Sequence, residues 1–425
     1  MAAAIALRGP NRQVTILEQS RLSTEIGATI SLQPNATRIL EQTWGLTDVL
    51  ERASGTVDCG FRVYNIDGDR VNEISLRNKT KYGADRIMWH RQDLHKFLRT
   101  TATATEGGGA AATLRTSARV ITCNPLSGVI TLQDGEELMA DLIVAADGIH
   151  SRLRTEVLGK EMTAKPTGFS AYRLMLSSTD LEQRAPDFFS HIRPQDPYTS
   201  MIMAHNCRLI MGPARGGELY SVVGLVPDDR MNEDPEGAQS WVNEGDPQKM
   251  LATFKEFPQW TKDMLGLAEC VGLWQLRDLD PLETWTRGRV ILIGDAAHAM
   301  LPTQGQGASQ AIEDAEALGA FFSDVDSRPS TEQVSSLLER VFKSRYTRAT
   351  LIQKFSRESA KPATSNDSRE VKMRPDEFMD YNCIYRGAKQ WEEQQLISML
   401  EETHLNDGLS GRLEQQSRSS QPASA

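Results

Sequence analysis

The sequence predicts an α/β protein: a mainly parallel sheet with helices, interrupted by an inserted, mainly antiparallel β domain and followed by C-terminal helices. Three observations carry that prediction. In three separated places an apolar strand ends in an acidic residue or an acid–glycine pair and a helix begins: residues 14–17 before Glu18, 142–146 before Asp147-Gly148, and 290–293 before Gly294-Asp295. In open parallel sheets, ligands bind outside such carboxyl ends. Between 167 and 286 the texture changes to strand-like runs joined by Asp-, Pro- and Glu-rich connections. At Arg289 the strand–helix alternation returns. The length of 425 residues agrees, since roughly 150 residues per domain gives two or three units.

Residues 1–7 are apolar and stop at Gly9-Pro10, which reads as the back half of a helix. Residues 14–17 read as a short buried strand, 35–50 resume helical spacing, and 56–88 give short alternating segments with Gly and Asn-Lys turns. A helix at 92–104 ends in Glu106-Gly107-Gly108-Gly109, and strands follow at 119–123, 129–132 and 142–146. The inserted domain offers strands at 170–176, 200–203, 207–211 and 220–226; its Met-rich stretch at 201–211 reads as pocket or core filler. After the strand at 290–293 come helices at 307–322, 331–360 and 385–403, then a Ser- and Gln-rich tail of disordered composition. The domain boundaries expected are 1–166 with 287–350 for the discontinuous first domain, 167–286 for the insert, 351–405 for a helical extension and 406–425 for the tail.

Lys and Arg number 47 against 57 Asp and Glu, a net charge of −10 that argues against a nucleic-acid partner. No run approaches the 18 or so apolar residues of a membrane helix, so no membrane partner is expected. Five scattered cysteines without a Cys-x-x-Cys pair are neither a disulfide framework nor a zinc site, and point to a reducing, cytoplasmic setting. No histidine pair has metal-ligand spacing and no Gly-x-Ser-x-Gly occurs, so neither a metal centre nor a serine hydrolase is expected.

The three acidic strand ends carry the chemistry. A carboxylate at Glu18 can hydrogen-bond both hydroxyls of a nucleotide ribose, or is a solvated loop residue. Asp147-Gly148-Ile149-His150-Ser151-Arg152-Leu153-Arg154 offers a tight turn and a Ser151 helix cap, and equally reads as an ordinary strand–turn–helix junction. Gly294-Asp295-Ala296-Ala297-His298 and Gly305-Gln306-Gly307-Ala308 form the sharpest run. Small residues there allow close backbone approach, and a helix opening at Gly307 aims free amides at negative charge. His298 could act as a base or make a structural hydrogen bond.

These motifs, with Pro302 and Ala311-Ile312-Glu313-Asp314, resemble the single-component FAD-dependent aromatic hydroxylases, the salicylate-hydroxylase-like flavoprotein monooxygenases. The resemblance runs from residue 1 to about 350. It implies a Rossmann-like FAD-binding domain with an inserted substrate domain. It also implies that Asp295 binds the flavin ribitol chain, with Gly307 and Ala308 facing the isoalloxazine and pyrophosphate, and that Asp147 lies in a motif shared by FAD and NAD(P)H. Glu18 matches the adenosine-ribose acid, Ile26-Gly27-Ala28 with Pro34-Asn35-Ala36 the next flavin loop, and Arg91 in Trp89-His90-Arg91-Gln92-Asp93-Leu94 the arginine that contacts FAD. Gly168 to Arg173 is similar to the segment that leads a strand across the substrate pocket.

The departure lies at the front: no strand with Gly-x-Gly-x-x-Gly precedes the first helix, about 15 residues short of the family's pattern. The expectation is that Met1 is an internal methionine of a longer protein, or that the product is degenerate. Thr29, Ala299 and Thr303 also stand where the family favours Gly, Pro and Tyr.

The reaction implied uses NADPH or NADH to reduce FAD and O2 to hydroxylate a small phenolic substrate, in aromatic catabolism or secondary metabolism, and a homodimer is compatible with it. Strand alternation puts Arg173 on the same face as Ala171, where its charge would lower a phenol pKa, while Tyr198 would orient the ring hydroxyl. Both have bland readings, a salt-bridged arginine and a packed tyrosine. Two other functions stay open, a non-catalytic flavin-fold relic acting as a scaffold and an FAD-dependent epoxidase.

Overall fold

The computed structural model describes residues 1–22, 28–204, 206–231, 243–361, 371 and 373–397. The 406–425 tail, Ile26-Gly27 and most of the acidic connection after Asp228 lie outside them. In chain order the first half contains α1 (Ala2–Leu7), β1 (Thr15–Leu17), β2 (Thr29–Leu32), β3 (Gly60–Tyr64), β4 (Arg70–Ser75), β5 (Ile87–His90), α2 (Arg91–Thr103), β6 (Thr113–Arg115), β7 (Ile143–Ala145) and α3 (Leu153–Leu158). Then come β8 (Lys165–Ser177), β9 (Thr199–Ala204), β10 (Cys207–Ala214), β11 (Leu219–Pro227) and β12 (Val271–Asp278). The chain continues through β13 (Val290–Leu292), α4 (Gly307–Phe322), α5 (Thr331–Ala360) and α6 (Pro375–Cys383), and is helical again at 388–397.

Outside the large sheet, parallel pairing among the described strands is confined to two separate pairs. β1 pairs with β6 from Thr15↔Thr113 to Leu17↔Arg115, and β7 with β13 from Ile143↔Val290 to Ala145↔Leu292. The pairs are not hydrogen-bonded to each other, because no described strand lies between them to share the ladders. Their cohesion comes from side chains instead. Ile143, Ala145, Ile291 and Leu292 pack with Leu318 and Phe321 of α4 and with Leu338 and Val341 of α5 in one buried cluster. A fully buried side chain of this kind contributes about 1.5–3 kcal/mol. α1 crosses α4 so closely that a Cβ on Gly319 would lie 2.8 Å from the Ala6 carbonyl oxygen.

The second sheet has eight strands in the order 243–245, β12, β8, β11, β10, β9, β3, β4. All neighbours are antiparallel except β9 and β3. β3 and β4 come from the stretch expected to belong wholly to the first domain, so the sheet does not respect a boundary at 167. Strand β3 covers the free edge of β9, and exposed, charge-bearing β4 closes the sheet. Alternation along β8 sends Tyr172, Leu174 and Leu176 to one face and Ala171, Arg173 and Met175 to the other.

The apolar face is covered by four short helices absent from the sequence reading, Ser178–Arg184, Pro186–His191, Pro247–Thr253 and Gln259–Leu265. They bury Leu181, Phe188, Phe254 and Met264 against the sheet. Their polar composition made them read as connections. Two carry start signals nonetheless: the Ser177 hydroxyl accepts from the Asp180 amide, and the Asp246 carboxylate from those of Gln248 and Lys249.

Candidate functional site

The strand ends expected to bind ligand are assembled by side chains from neighbouring elements. After β13, Gly294 adopts φ +57° with ψ −140°, a conformation essentially restricted to glycine. That turn aims its amide at Asp314 Oδ2, 2.9 Å away on α4. His298 Nε2 lies 2.7 Å from the same oxygen, with the Trp285 ring packed on it, so the imidazole is a buried structural brace. Asp295 is different. Its side chain keeps exposed surface although protein crowds it closely enough to push its pKa up by burial, against the charges of His298 and Arg154.

Arg154 joins this loop to the Asp147 loop. Only 1% exposed, its guanidinium donates to the carbonyls of Ala296 (2.8 Å), Asp295 (3.2 Å), Ile149 (3.0 Å) and Met162 (3.1 Å). Asp147 Oδ2 accepts from the amides of Arg152 (2.9 Å) and Leu153 (3.2 Å) at the start of α3, and the Ser151 hydroxyl accepts from the Arg154 amide at 3.0 Å. Asp147 and Asp295 therefore belong to one constellation.

The start of α4 completes it. Gly305 takes φ +59°, a Cβ on Gly307 would meet nothing within 4 Å, and the 16-residue helix has no side-chain N-cap. The half-buried Gly307 and Ala308 open this helix, whose first-turn amides lack intrahelical partners and carry the positive end of its dipole. An accessible carboxylate beside an uncapped helix start fits a ligand carrying hydroxyls and phosphates, as FAD does.

Ala28 and Arg91 meet directly, the Arg91 amide donating to the Ala28 carbonyl at 2.8 Å where β2 and β5 pair. Glu18 stands half-buried at the end of β1, its carboxylate accepting from the Ser20 amide at 2.7 Å.

Behind α4 lies a charge cluster sealed from water. Arg348 grips Glu313 through Nε and Nη2, each at 2.8 Å, while Arg345 binds Glu313, Asp314 (2.9 Å) and Gln310 (2.6 Å). Glu313, Asp314, Arg345 and Arg348 are all 0% exposed. Burial alone would raise the Asp314 pKa, but His298 and Arg345 bring it down to about 2, and Arg348 and Arg345 likewise lower Glu313. A carboxylate whose pKa falls on folding adds stability above its unfolded pKa of about 4 and loses it as pH falls through the folded value. The thermal midpoint should therefore drop steeply between about pH 4 and pH 2, with little salt dependence because the pairs are unscreened. Asp295 and Glu316, both raised by burial, work in the opposite direction at milder pH. Calorimetry at two salt concentrations checks this; an acid transition that moves strongly with salt would assign it to surface pairs instead.

On the face of the large sheet turned away from its helices, Arg173 lies opposite Val223 and Gly272. Its guanidinium sits 4.8 Å from the Trp274 ring centroid, and that ring crosses Gly272 so tightly that a Cβ there would come within 2.2 Å of it. Arg173 Nε has no hydrogen-bond partner in the described structure. Burial first and the charge of Arg91 second lower its pKa. Tyr198 is not brought to Arg173. It precedes β9, three strand spacings or about 14 Å from β8, and its ring lies 3.8 Å beneath the Arg62 guanidinium.

Arg345, Arg348 and Trp274 went unnoticed in sequence. Their signals are weak: an i, i+3 arginine pair on a polar helix and one tryptophan in an alternating strand.

Comparison with known proteins gives a coherent result. The FAD binding domain family matches residues 11–333. Hispidin-3-hydroxylase of Neonothopanus nambi is 31% identical over 357 residues, covering 81% of this chain and 83% of that protein. 6-Hydroxynicotinate 3-monooxygenase of Bordetella bronchiseptica is 31% identical over 328 residues, covering 76% and 79%. The substrate complex of a salicylate hydroxylase superposes with a TM-score of 0.68 at 25% identity, covering 86% of this chain and 88% of that one.

Proposed function

The chain belongs to the FAD-binding domain family and is a FAD-dependent monooxygenase, and on that premise we propose that it hydroxylates a small anionic, phenolic substrate with NADPH or NADH and O2. One observation carries the substrate class: Arg173 is a half-buried cation on the open face of the sheet, over the Trp274 ring, with its Nε buried and unpaired. A buried donor left without an acceptor costs about 1–3 kcal/mol. An aromatic anion would relieve that cost, its ring against apolar surface and its oxygen toward the guanidinium. The same cation would favour the phenolate over the phenol, raising electron density at the ring. The relatives named for hispidin, 6-hydroxynicotinate and salicylate support a hydroxylated aromatic compound.

FAD, when bound, would carry electrons from the nicotinamide to O2 and so activate O2, the source of the oxygen added to the ring. In this reading Asp295 would hold the ribitol hydroxyls, the amides of Gly307 and Ala308 the pyrophosphate, Glu18 the adenosine ribose, and Ala28 with Arg91 would contact the flavin. Arg154 keeps the Asp147 and Asp295 loops at a fixed separation. No described helix is long and apolar enough to cross a membrane. All five cysteines are free, which fits a reducing setting.

The test is NAD(P)H oxidation by the FAD-loaded protein with phenolic acids and with their methyl esters and ethers. The acids should accelerate oxidation and the neutral analogues should not. Equal stimulation by both sets would remove the anionic substrate class.

A further inference from the structure

The turn joining β10 to β11 is built in an unusual way. Arg215, Gly216 and Gly217 all have positive φ, at +50°, +64° and +90°. Glycine adopts such angles freely, but arginine does so only with backbone strain. The turn is also pinned, since a Cβ on Gly217 would lie 2.8 Å from Gln195 Cα and the Ser178 hydroxyl donates to the Gly217 carbonyl at 2.6 Å. Strain held in place in this way marks a position where the side chain is needed.

The Arg215 side chain leaves the turn to make a two-pronged bond with Asp93, Nε to Oδ2 at 2.7 Å and Nη2 to Oδ1 at 3.0 Å. His90 Nδ1 lies 3.4 Å from the same Nη2 and 3.5 Å from Asp93 Oδ2. Asp93 is the third residue of α2, and Arg91 is the first. The sheet carrying Arg173 is thus fastened, at the tip of its β10–β11 hairpin, to the helix start carrying Arg91. Paired geometry of this kind fixes orientation as well as distance.

We propose that Arg215 and Asp93 are positioning residues: a clasp between the substrate sheet and the α2 start that sets the separation of Arg173 and Arg91, and with it the fit of an anionic aromatic ligand. This rests on the anionic-substrate reading above. The clasp is separable from bulk stability, because Arg215→Gly removes the side chain and relieves the strain together.

The experiment compares wild type, Arg215→Gly, Arg215→Lys and Asp93→Asn as FAD-loaded proteins. Benzoate is the probe, its Kd read from the flavin absorption difference spectrum, and thermal midpoints are recorded alongside. Arg215→Gly should melt no lower than wild type yet bind benzoate at least about tenfold more weakly. Asp93→Asn should weaken binding similarly, and Arg215→Lys, which keeps one bond, should stay within about threefold of wild type. Unchanged Kd in Arg215→Gly and Asp93→Asn would overturn the clasp. If benzoate leaves the wild-type flavin spectrum unaltered, the anionic-substrate reading is what has failed. The clasp is then read from the circular dichroism of bound flavin, which should change in Arg215→Gly and return toward wild type in Arg215→Lys; identical spectra in all four proteins would overturn it.

Discussion

Replacing Arg345 by methionine should lower stability by about 3–5 kcal/mol, because breaking a buried ion pair strands the opposite charge. Asp314 would keep His298 and the Gly294 amide but lose its arginine, and Glu313 would rely on Arg348 and Asn35. Against a total of about 5–15 kcal/mol that is a large fraction, and the melting temperature should fall by on the order of 10 °C. The site should suffer with it, since Asp314 is what holds the Gly294 turn in place. Removing the whole cluster at once, by apolar residues of similar volume at 313, 314, 345 and 348, should be milder for stability than the single change. Thermal melts of both variants decide it; a single variant that melts like wild type would mean that the cluster is not what locks α4 to the loop.

Arg173→Ala should reduce kcat/KM for a phenolic acid by about 30-fold or more, the effect of removing one partner of a buried charge pair worth about 2–5 kcal/mol. The pH profile should shift as well. With the cation gone, ionisation of the bound phenol moves to higher pH, so the rising limb of kcat against pH moves up. Thermal stability should hold or improve, because the substitution removes a half-buried charge whose Nε has no acceptor in the free protein. Unchanged kcat/KM together with an unmoved pH profile would take Arg173 out of the substrate site.

Much of this molecule was legible in sequence because its signals are local. Three acid-terminated strands, the helix at Gly307–Phe322 and the long helix at Thr331–Ala360 follow from short-range apolar spacing and small-residue turns. What could not be read depends on partners far apart in the chain. Arg154 binds carbonyls more than 140 residues away, Arg345 reaches across 31 residues to Asp314, and Arg215 across 122 to Asp93. The recruitment of Gly60–Tyr64 and Arg70–Ser75 into the large sheet was hidden for the same reason, since nothing in their alternation names the strand they will pair with. Tyr198 shows the converse limit. An aromatic near a strand start looked able to orient a ring hydroxyl, but pairing order sets it beside Arg62, on the far side of the sheet from Arg173.

The most direct measurement is mass analysis of product after turnover under isotopically labelled O2, with FAD, NAD(P)H and a phenolic acid. The expected result is a ring carrying one added oxygen atom that bears the label, with nicotinamide oxidation accelerated by the same acid. Protein that remains colourless in FAD, or that oxidises nicotinamide without placing label in any phenolic acid tested, would contradict the account.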